Sequence, residues 1–444
     1  MVLSDWIGKV GADSLFVKRY GVQNIPLMYV LTPIAMLATS AVVFAVMGRV
    51  RRRTLLLYFI AGVMLVSVAI QAALPLGGLV LPVAYVFAHG VKETIYLLFW
   101  VFAGNLYDSE QSRRLFPLFA GATLVGKILG GVFASALAGV IHAENFIGAQ
   151  AIGFFLCLLL IVAFRKHLNE ASGEDETQHR HQSLAATLQS TMNGYRAVTS
   201  DRLMIVFGVG VLLWYLLMQV GSYLYLVGLD ASSTLATARQ SEDAFGRLYA
   251  SVYTSSSVLA LGLQMFATPF LLRRFGLGGV LFFLPLWYLG SFGAAMVSFN
   301  FVTAIAIQLG ERIFIPALHR PATEMVYSHV ASSIRPRARA FLSGGVNAAG
   351  NLAAAAVLSV STALGLGPGK VLGLAALLST AFVINALVFR KRLEQRVAEN
   401  LVSVDGELRR NARQMLEGRA SEAPGNVRTD VLRRPISDMQ AENP

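Results

Sequence analysis

Apolar stretches of about twenty residues recur along the chain near 25–48, 54–74, 79–107, 116–141 and 145–164. They resume near 203–229, 248–272, 278–299, 301–327, 340–364 and 370–390. As helices, each is long enough to cross a hydrocarbon layer of about 30 Å. The pattern therefore predicts an all-α integral membrane protein with about eleven transmembrane helices visible. The polar, His-rich stretch Lys166 to Asp201 divides five spans from six. This predicts an N-terminal bundle over 25–164, a linker over 165–202 and a C-terminal bundle over 203–390. The segment 391–444 is charged and loses periodicity, so a tail that starts amphipathic and ends disordered is expected. Residues 1–24 lack the apolar core of a cleaved leader and are read as an extracytoplasmic remnant.

Charge orients this array. Arg49, Arg51, Arg52 and Arg53 follow the first stretch, Arg113 and Arg114 the third, and Arg165, Lys166 and Arg180 the fifth. Arg273 and Arg274 follow the seventh, Arg335, Arg337 and Arg339 the ninth, and Arg390, Lys391 and Arg392 the last. Cations near helix ends resist translocation, so every second connection, the linker and the C-terminus are expected in the cytoplasm of a cell inner membrane. The net charge of +12 thus reflects orientation and does not point to nucleic acid. Composition agrees: 55% hydrophobic, 14% charged and a mean hydropathy of +0.59. The single Cys157 excludes an intrachain disulfide and a Cys-based metal site. His179 and His181 are read as linker residues rather than metal ligands.

An internal repeat is visible. Ala41 to Leu57 aligns with Thr268 to Phe282, and Leu106 to Gly131 aligns with Val326 to Ala355. In the second pair a Tyr ends a span, an Arg pair or run follows, and a Gly-rich helix begins. The span 203–229 has no partner in the first half, so the first of twelve helices is expected to be missing. Ala12 to Gly21 would be the outer end of that helix, lost or preceded by a late start site.

A six-plus-six plan with a central linker and Arg-rich turns resembles the major facilitator superfamily. Leu97 to Gly131 and Ile315 to Gly345 are similar to segments of the bacterial and plastid ATP/ADP exchange translocases and their bacterial relatives. The resemblance covers most of Asp13 to Arg390 and implies a major-facilitator-like two-bundle fold, antiport and nucleotide transport. The family's first helix, bearing a Lys important for nucleotide exchange, has no counterpart in this reading. The superfamily's acidic turn motif is reduced to Gly48, Arg49 and the arginines that follow.

Ionisable groups inside spans cost about 2.5–3.5 kcal/mol each, so they are candidates for function. Lys92 and Glu93 lie mid-span in the first half, Glu311 and Arg312 in the second. Aligning Tyr107 with Tyr327 makes Lys92 and Arg312 equivalent, on the helices that line the central cavity in the superfamily's plan. Aligning Gly121 with Gly345 pairs Lys127 with Asn351. These groups either converge on an anion near a pseudo-twofold axis or are neutralised by carboxylates and lock the bundle. Gln219, Tyr223, Gln264 and Gln308 are uncharged substrate-binding candidates or helix contacts. Trp100, Trp214, Tyr215 and Trp287 either stack on a base or pack. Arg320 and Glu324, one turn apart, form either an inner gate or a solvated pair.

The expectation is a secondary transporter working by alternating access on a small organic anion, a nucleotide being the first class to test, with no cofactor. The rival class is a non-transporting scaffold or receptor subunit, favoured by the missing cavity helix. A membrane enzyme ranks last, since no paired carboxylates, zinc motif or nucleophile motif is present.

Overall fold

The computed structural model describes residues 1–47, 52–106, 109–138, 140–163, 194–196, 198–231, 242–327, 338–339 and 341–422. Of these, only the backbone is described at 37, 40–47, 52–53, 91–93, 96–97, 100–106, 109–118, 120 and 399–422. The described residues form helices and connections without strands. The first half holds α1 (Val2–Tyr20), α2 (Ile25–Met47), α3 (Arg52–Ala73), α4 (Val80–Leu106), α5 (Ser109–Leu137) and α6 (Phe146–Ala163). The second holds α7 (Arg202–Ala231), α8 (Glu242–Gly262), α9 (Thr268–Val297), α10 (Phe301–Leu309), α11 (Arg320–Val326), α12 (Asn347–Ala363) and α13 (Pro368–Glu422). A π-helical segment, Gly310–His319, joins α10 to α11, so these count as one span. Gly276, at φ 67°, makes the turn that divides α9 into the end of one span and the start of the next. Only glycine takes that backbone region at little cost.

Among the described residues, seven helical stretches are apolar and long enough to cross a membrane by length and composition. Their outward faces carry Leu65, Val68, Ile152, Phe155, Phe266 and Leu377, all more than half exposed or nearly so. A water-soluble protein would bury such a belt; hydrocarbon solvates it. The chain is a multi-pass, all-helical membrane protein with a major-facilitator-like two-bundle fold. Within the first half α1 packs on α4, α5 and α6; within the second α7 packs on α10 and α12. The halves meet where α5 runs along α8, α2 along α12 and α1 against α8. The described residues from Arg390 to Glu422 form a separate helical unit, in which Arg390 Nε donates to Glu394 Oε1 at 2.9 Å.

The start of the chain corrects the sequence reading. Val2–Tyr20 is a nineteen-residue helix with thirteen residues buried, not an extracytoplasmic remnant. At 1.5 Å per residue it is about 28 Å long, the length of a span. It stands where the partner of the span 203–229 is required, and the described residues then give six helical passes in each half. Asp5, Lys9, Asp13, Lys18 and Arg19 depress its hydropathy, and so it escaped a search for apolar stretches. A helix enclosed by others meets protein rather than lipid and need not be apolar all round. Close approach is built in: a Cβ at Gly8 would fall on the Gln150 side chain, and one at Gly11 would lie 2.6 Å from Phe146 Cβ.

The small-residue runs are used unequally. Gly126, Gly130 and Gly131 of α5 meet Val2, Trp6 and Thr254 closely, and Gly350 of α12 meets Tyr215, whereas Gly121 and Gly344 face open space.

Candidate functional site

Arg312 lies in the π-helical segment, where Gly310 and Pro316 interrupt regular α-helical bonding. It is 8% exposed, and its guanidinium carbon sits 4.6 Å from the Tyr253 ring centroid, 5.1 Å from Tyr249 and 5.6 Å from Tyr225. Aromatic faces attract a cation, more strongly when water is excluded. Glu311, next in sequence, accepts from Ser222 Oγ at 2.5 Å and Gln308 Nε2 at 2.8 Å. Arg312 Nε and Gln308 Oε1 are buried without a hydrogen-bond partner among the described residues. Gln264 Oε1, on a second π-helical segment (Leu263–Ala267) packed against the first, is also unpartnered. Buried polar atoms of this kind normally find a partner, so each is a place for a polar ligand atom or a water.

The first half contributes through α1. Trp6 stacks on Tyr253 at 3.6 Å, which ties α1 to the aromatic cage. Asp13 is 1% exposed and lies 2.8 Å from His89 Nε2 of α4. Tyr249 of α8, buried beside Arg312, is the member of the cage that lies nearest in charge terms to Asp13 as well. Lys9 is close enough to act electrostatically on Asp13 and on Glu311. Lys9, Arg312, Asp13, Glu311 and His89 are thus spread over both halves, with Asp5 buried one turn before Lys9 on the same face of α1.

At the end of the bundle where α1 terminates, ion pairs cross between the halves. Lys18 Nζ meets Asp230 Oδ1 at 3.0 Å, Arg19 Nε meets Glu242 Oε1 at 2.6 Å, and His142 Nδ1 meets Asp243 Oδ2 at 3.0 Å. Arg19 also contacts Glu144, and Asp243 Oδ1 accepts from Ala143 N at 2.6 Å. Exposed pairs contribute little singly, but a network that spans a joint biases its closure. The hydrogen bond to Asp243, and then that carboxylate's charge, raise the His142 pKa above its ordinary 6.5. Its contribution to closure is therefore fully present below about 6.5 and is lost as pH rises through the raised value. The His142→Gln variant is expected to lose that component of pH dependence, readable as distance between labels at this end.

The sequence-predicted residues fare differently. Arg312, Glu311 and Gln308 come together as described. Lys92 and Glu93 fall on α4, fourth helix of the first half as the Arg312 span is fourth of the second, but their side chains lie outside the described residues. Trp100 is also outside them. Lys127 is half-buried on α5; Asn351, on the equivalent helix, donates within α12 to Asn347 Oδ1 at 2.7 Å. Tyr223 reaches Thr362, and Gln219 is half-buried on α7. Trp214 and Trp287 pack: Trp214 stacks on Tyr215 at 4.5 Å, and Trp287 Nε1 donates to Ala306 O at 2.9 Å. The Arg320–Glu324 pair is corrected: Glu324 bonds Arg339 at 2.8 Å, while Arg320 is exposed. Asp13, His89, Lys9 and the tyrosine cage were missed, because α1 was read as lying outside the bundle. The signal was present: Asp5, Lys9 and Asp13 fall at a four-residue spacing on one helical face.

No family model matches the chain, and no curated protein matches it in sequence. Solved structures of transporters share its fold. The nucleoside transporter NupG is 15% identical over 87% of this chain and 96% of that one, with a TM-score of 0.59. The peptide transporter POT in complex with sulfate is 13% identical over 89% and 94%, with a TM-score of 0.61. A bacterial homologue of the iron transporter ferroportin, in an inward-facing state, is 11% identical over 88% and 97%, with a TM-score of 0.59. At these identities the likeness is one of fold.

Proposed function

We propose that this chain is a secondary transporter that works by alternating access on a small organic anion, with nucleotides the first class to test. The observation that carries the reading is Arg312, buried in a tyrosine cage where the two halves meet, with polar atoms beside it left unpartnered. A guanidinium binds phosphate or carboxylate bidentately, and tyrosine rings accept a base or another flat group. The crossing ion pairs at the Arg19 end hold one side closed, and opening there would expose the same site to the opposite face. The clustering of cations in the linker and in the connections of the other end supports a reading in which the Arg19 end faces outward and the linker inward. Fold kinship with transporters of nucleosides, peptides and iron supports transport and leaves the solute open.

A non-transporting scaffold drew its support from a missing cavity helix, and Val2–Tyr20 removes that support. Proteoliposomes loaded with labelled nucleotides provide the test. Uptake or exchange that falls in the Arg312→Gln variant is expected; nucleotide flux indifferent to that change would contradict the anion site.

A further inference from the structure

We propose that the groove between α3 and α6, on the lipid-facing side of the first half, binds one acyl chain of a diacyl phospholipid whose ester carbonyl is held by the Gln71 side-chain amide. The site is separate from the Arg312 centre and stands whether or not the chain transports. Its walls follow from helical spacing. Met64, Val68 and Ala72 recur every four residues on α3, and Gly148, Ala151, Ile152 and Phe155 lie at helical spacing on α6, so each set shares one face. Where the faces meet, Ala72, Gly148 and Ala151 are too small to fill the space, and the described residues leave an apolar groove of about 420 Å³.

Position and length identify the occupant. The groove is continuous with the lipid-facing belt, because Val68, Ile152 and Phe155 are exposed members of that belt and also form its walls. Behind it, Ile70 of α3 and Ile147 of α6 belong to one buried cluster, so the floor is packed core and the opening faces hydrocarbon. Ala72 lies in the last turn of α3 and Gly148 in the first turn of α6. Met64 and Phe155 lie about 10–12 Å farther in, short of the middle of a layer of about 30 Å. A second copy of this chain would present a helix along the whole span. A single acyl chain from the leaflet at the Arg19 end matches the length of the groove.

The mouth carries the polar group that an ester needs. The Gly148 N–H is one of the four at a helix start that lack an intrahelical acceptor, and Gln71 Oε1 accepts from it at 2.8 Å. That bond fixes the amide with Nε2 turned the other way. Nε2 meets Asn145 Oδ1 at 3.4 Å, longer than the roughly 3 Å of a good N–H···O bond. The amide therefore keeps donor capacity at the end of the span, where ester carbonyls border the hydrocarbon, and an ester offers acceptors alone. Gly148 keeps the mouth open, since a Cβ there would lie 3.3 Å from Gln71 Oε1. A free fatty acid suits the mouth less well. Its carboxylate would need a cation, and Lys18, Arg19 and His142 at this end are already paired with carboxylates.

The test uses the full chain, purified in detergent, titrated with palmitoyl-oleoyl phosphatidylethanolamine and read by native mass spectrometry. The parent protein is expected to hold one phospholipid per chain at concentrations that leave further sites empty. Ala72→Trp fills the mouth from an exposed position and is expected to weaken that binding about tenfold or more. Leu65→Trp, exposed on the same helix outside the groove, is expected to leave it unchanged. The diether analogue lacks the ester carbonyl and is expected to bind about fivefold more weakly, the worth of one net hydrogen bond. Gln71→Leu is expected to remove that difference, which decides the matter if Ala72→Trp does not fold. Equal retention by Ala72→Trp and the parent, or equal binding of ester and diether to the parent, overturns the site. Palmitate bound as tightly as the phospholipid makes it a fatty-acid site, and a dimer mass lost only in Ala72→Trp makes it a contact between copies; either result overturns the proposal.

Discussion

Arg312→Gln is expected to abolish nucleotide flux and to destabilise the fold, the largest combined effect of any single substitution in the site. The side chain is a buried cation enclosed by Tyr225, Tyr249 and Tyr253 beside the Glu311 carboxylate. Removing one member of a buried charged set leaves the other uncompensated, which costs about 3–5 kcal/mol. Loss of a buried charge-assisted contact to ligand costs about 2–5 kcal/mol, or roughly 30-fold or more in affinity. Arg312→Lys keeps the charge but not the planar fork, so it is expected to recover stability more than transport. Thermal unfolding of purified protein, read beside flux, separates the two losses. Equal recovery of both by lysine would show that charge alone matters.

Gly131→Leu carries the second large effect. Gly131 lies where α5 of the first half crosses α8 of the second, and a Cβ there would enter the space of Thr254 Oγ1 and approach Ala250 O at 3.4 Å. Thr254 is held in place, since its hydroxyl donates to Ala250 O at 2.8 Å. Overpacking a tight contact costs about 1–3 kcal/mol, and here the strain falls on the joint about which the halves must move. Gly121→Leu on the same helix is the control, because its Cβ would meet nothing within 4 Å. It is expected to stay within about 0.5 kcal/mol of the parent protein. Matching losses from both substitutions would mean that helix propensity, not the crossing, decides the outcome.

The apolar spans were legible because lipid demands long hydrophobic faces, and stretches such as 54–74 and 145–164 return as α3 and α6 with little change. Arg312 was legible too, since a charge amid apolar neighbours advertises its cost. The first helix was not, for the opposite reason. Its polar groups are solvated by His89, Asp230 and Glu242 from other helices, so the local sequence carries no sign of enclosure. The aromatic cage was equally hidden, because Tyr225, Tyr249 and Tyr253 become a set only when α7 and α8 close around the π-helical turn. Glu324 looked bound to Arg320 by helical spacing, yet Arg339, fifteen positions on, reaches it instead.

Whether Val2–Tyr20 lies at the joint between the halves is most directly tested by a disulfide. A Cβ built on Gly246 of α8 would lie 3.8 Å from Ser14 Cβ of α1, within the 3.5–4.5 Å range that disulfides span. With Cys157→Ser as background, Ser14→Cys together with Gly246→Cys is expected to oxidise readily in the membrane and to arrest flux until reduced. Failure of the pair to cross-link under catalysed oxidation, in protein that is folded and inserted, would place the first helix elsewhere and contradict the account.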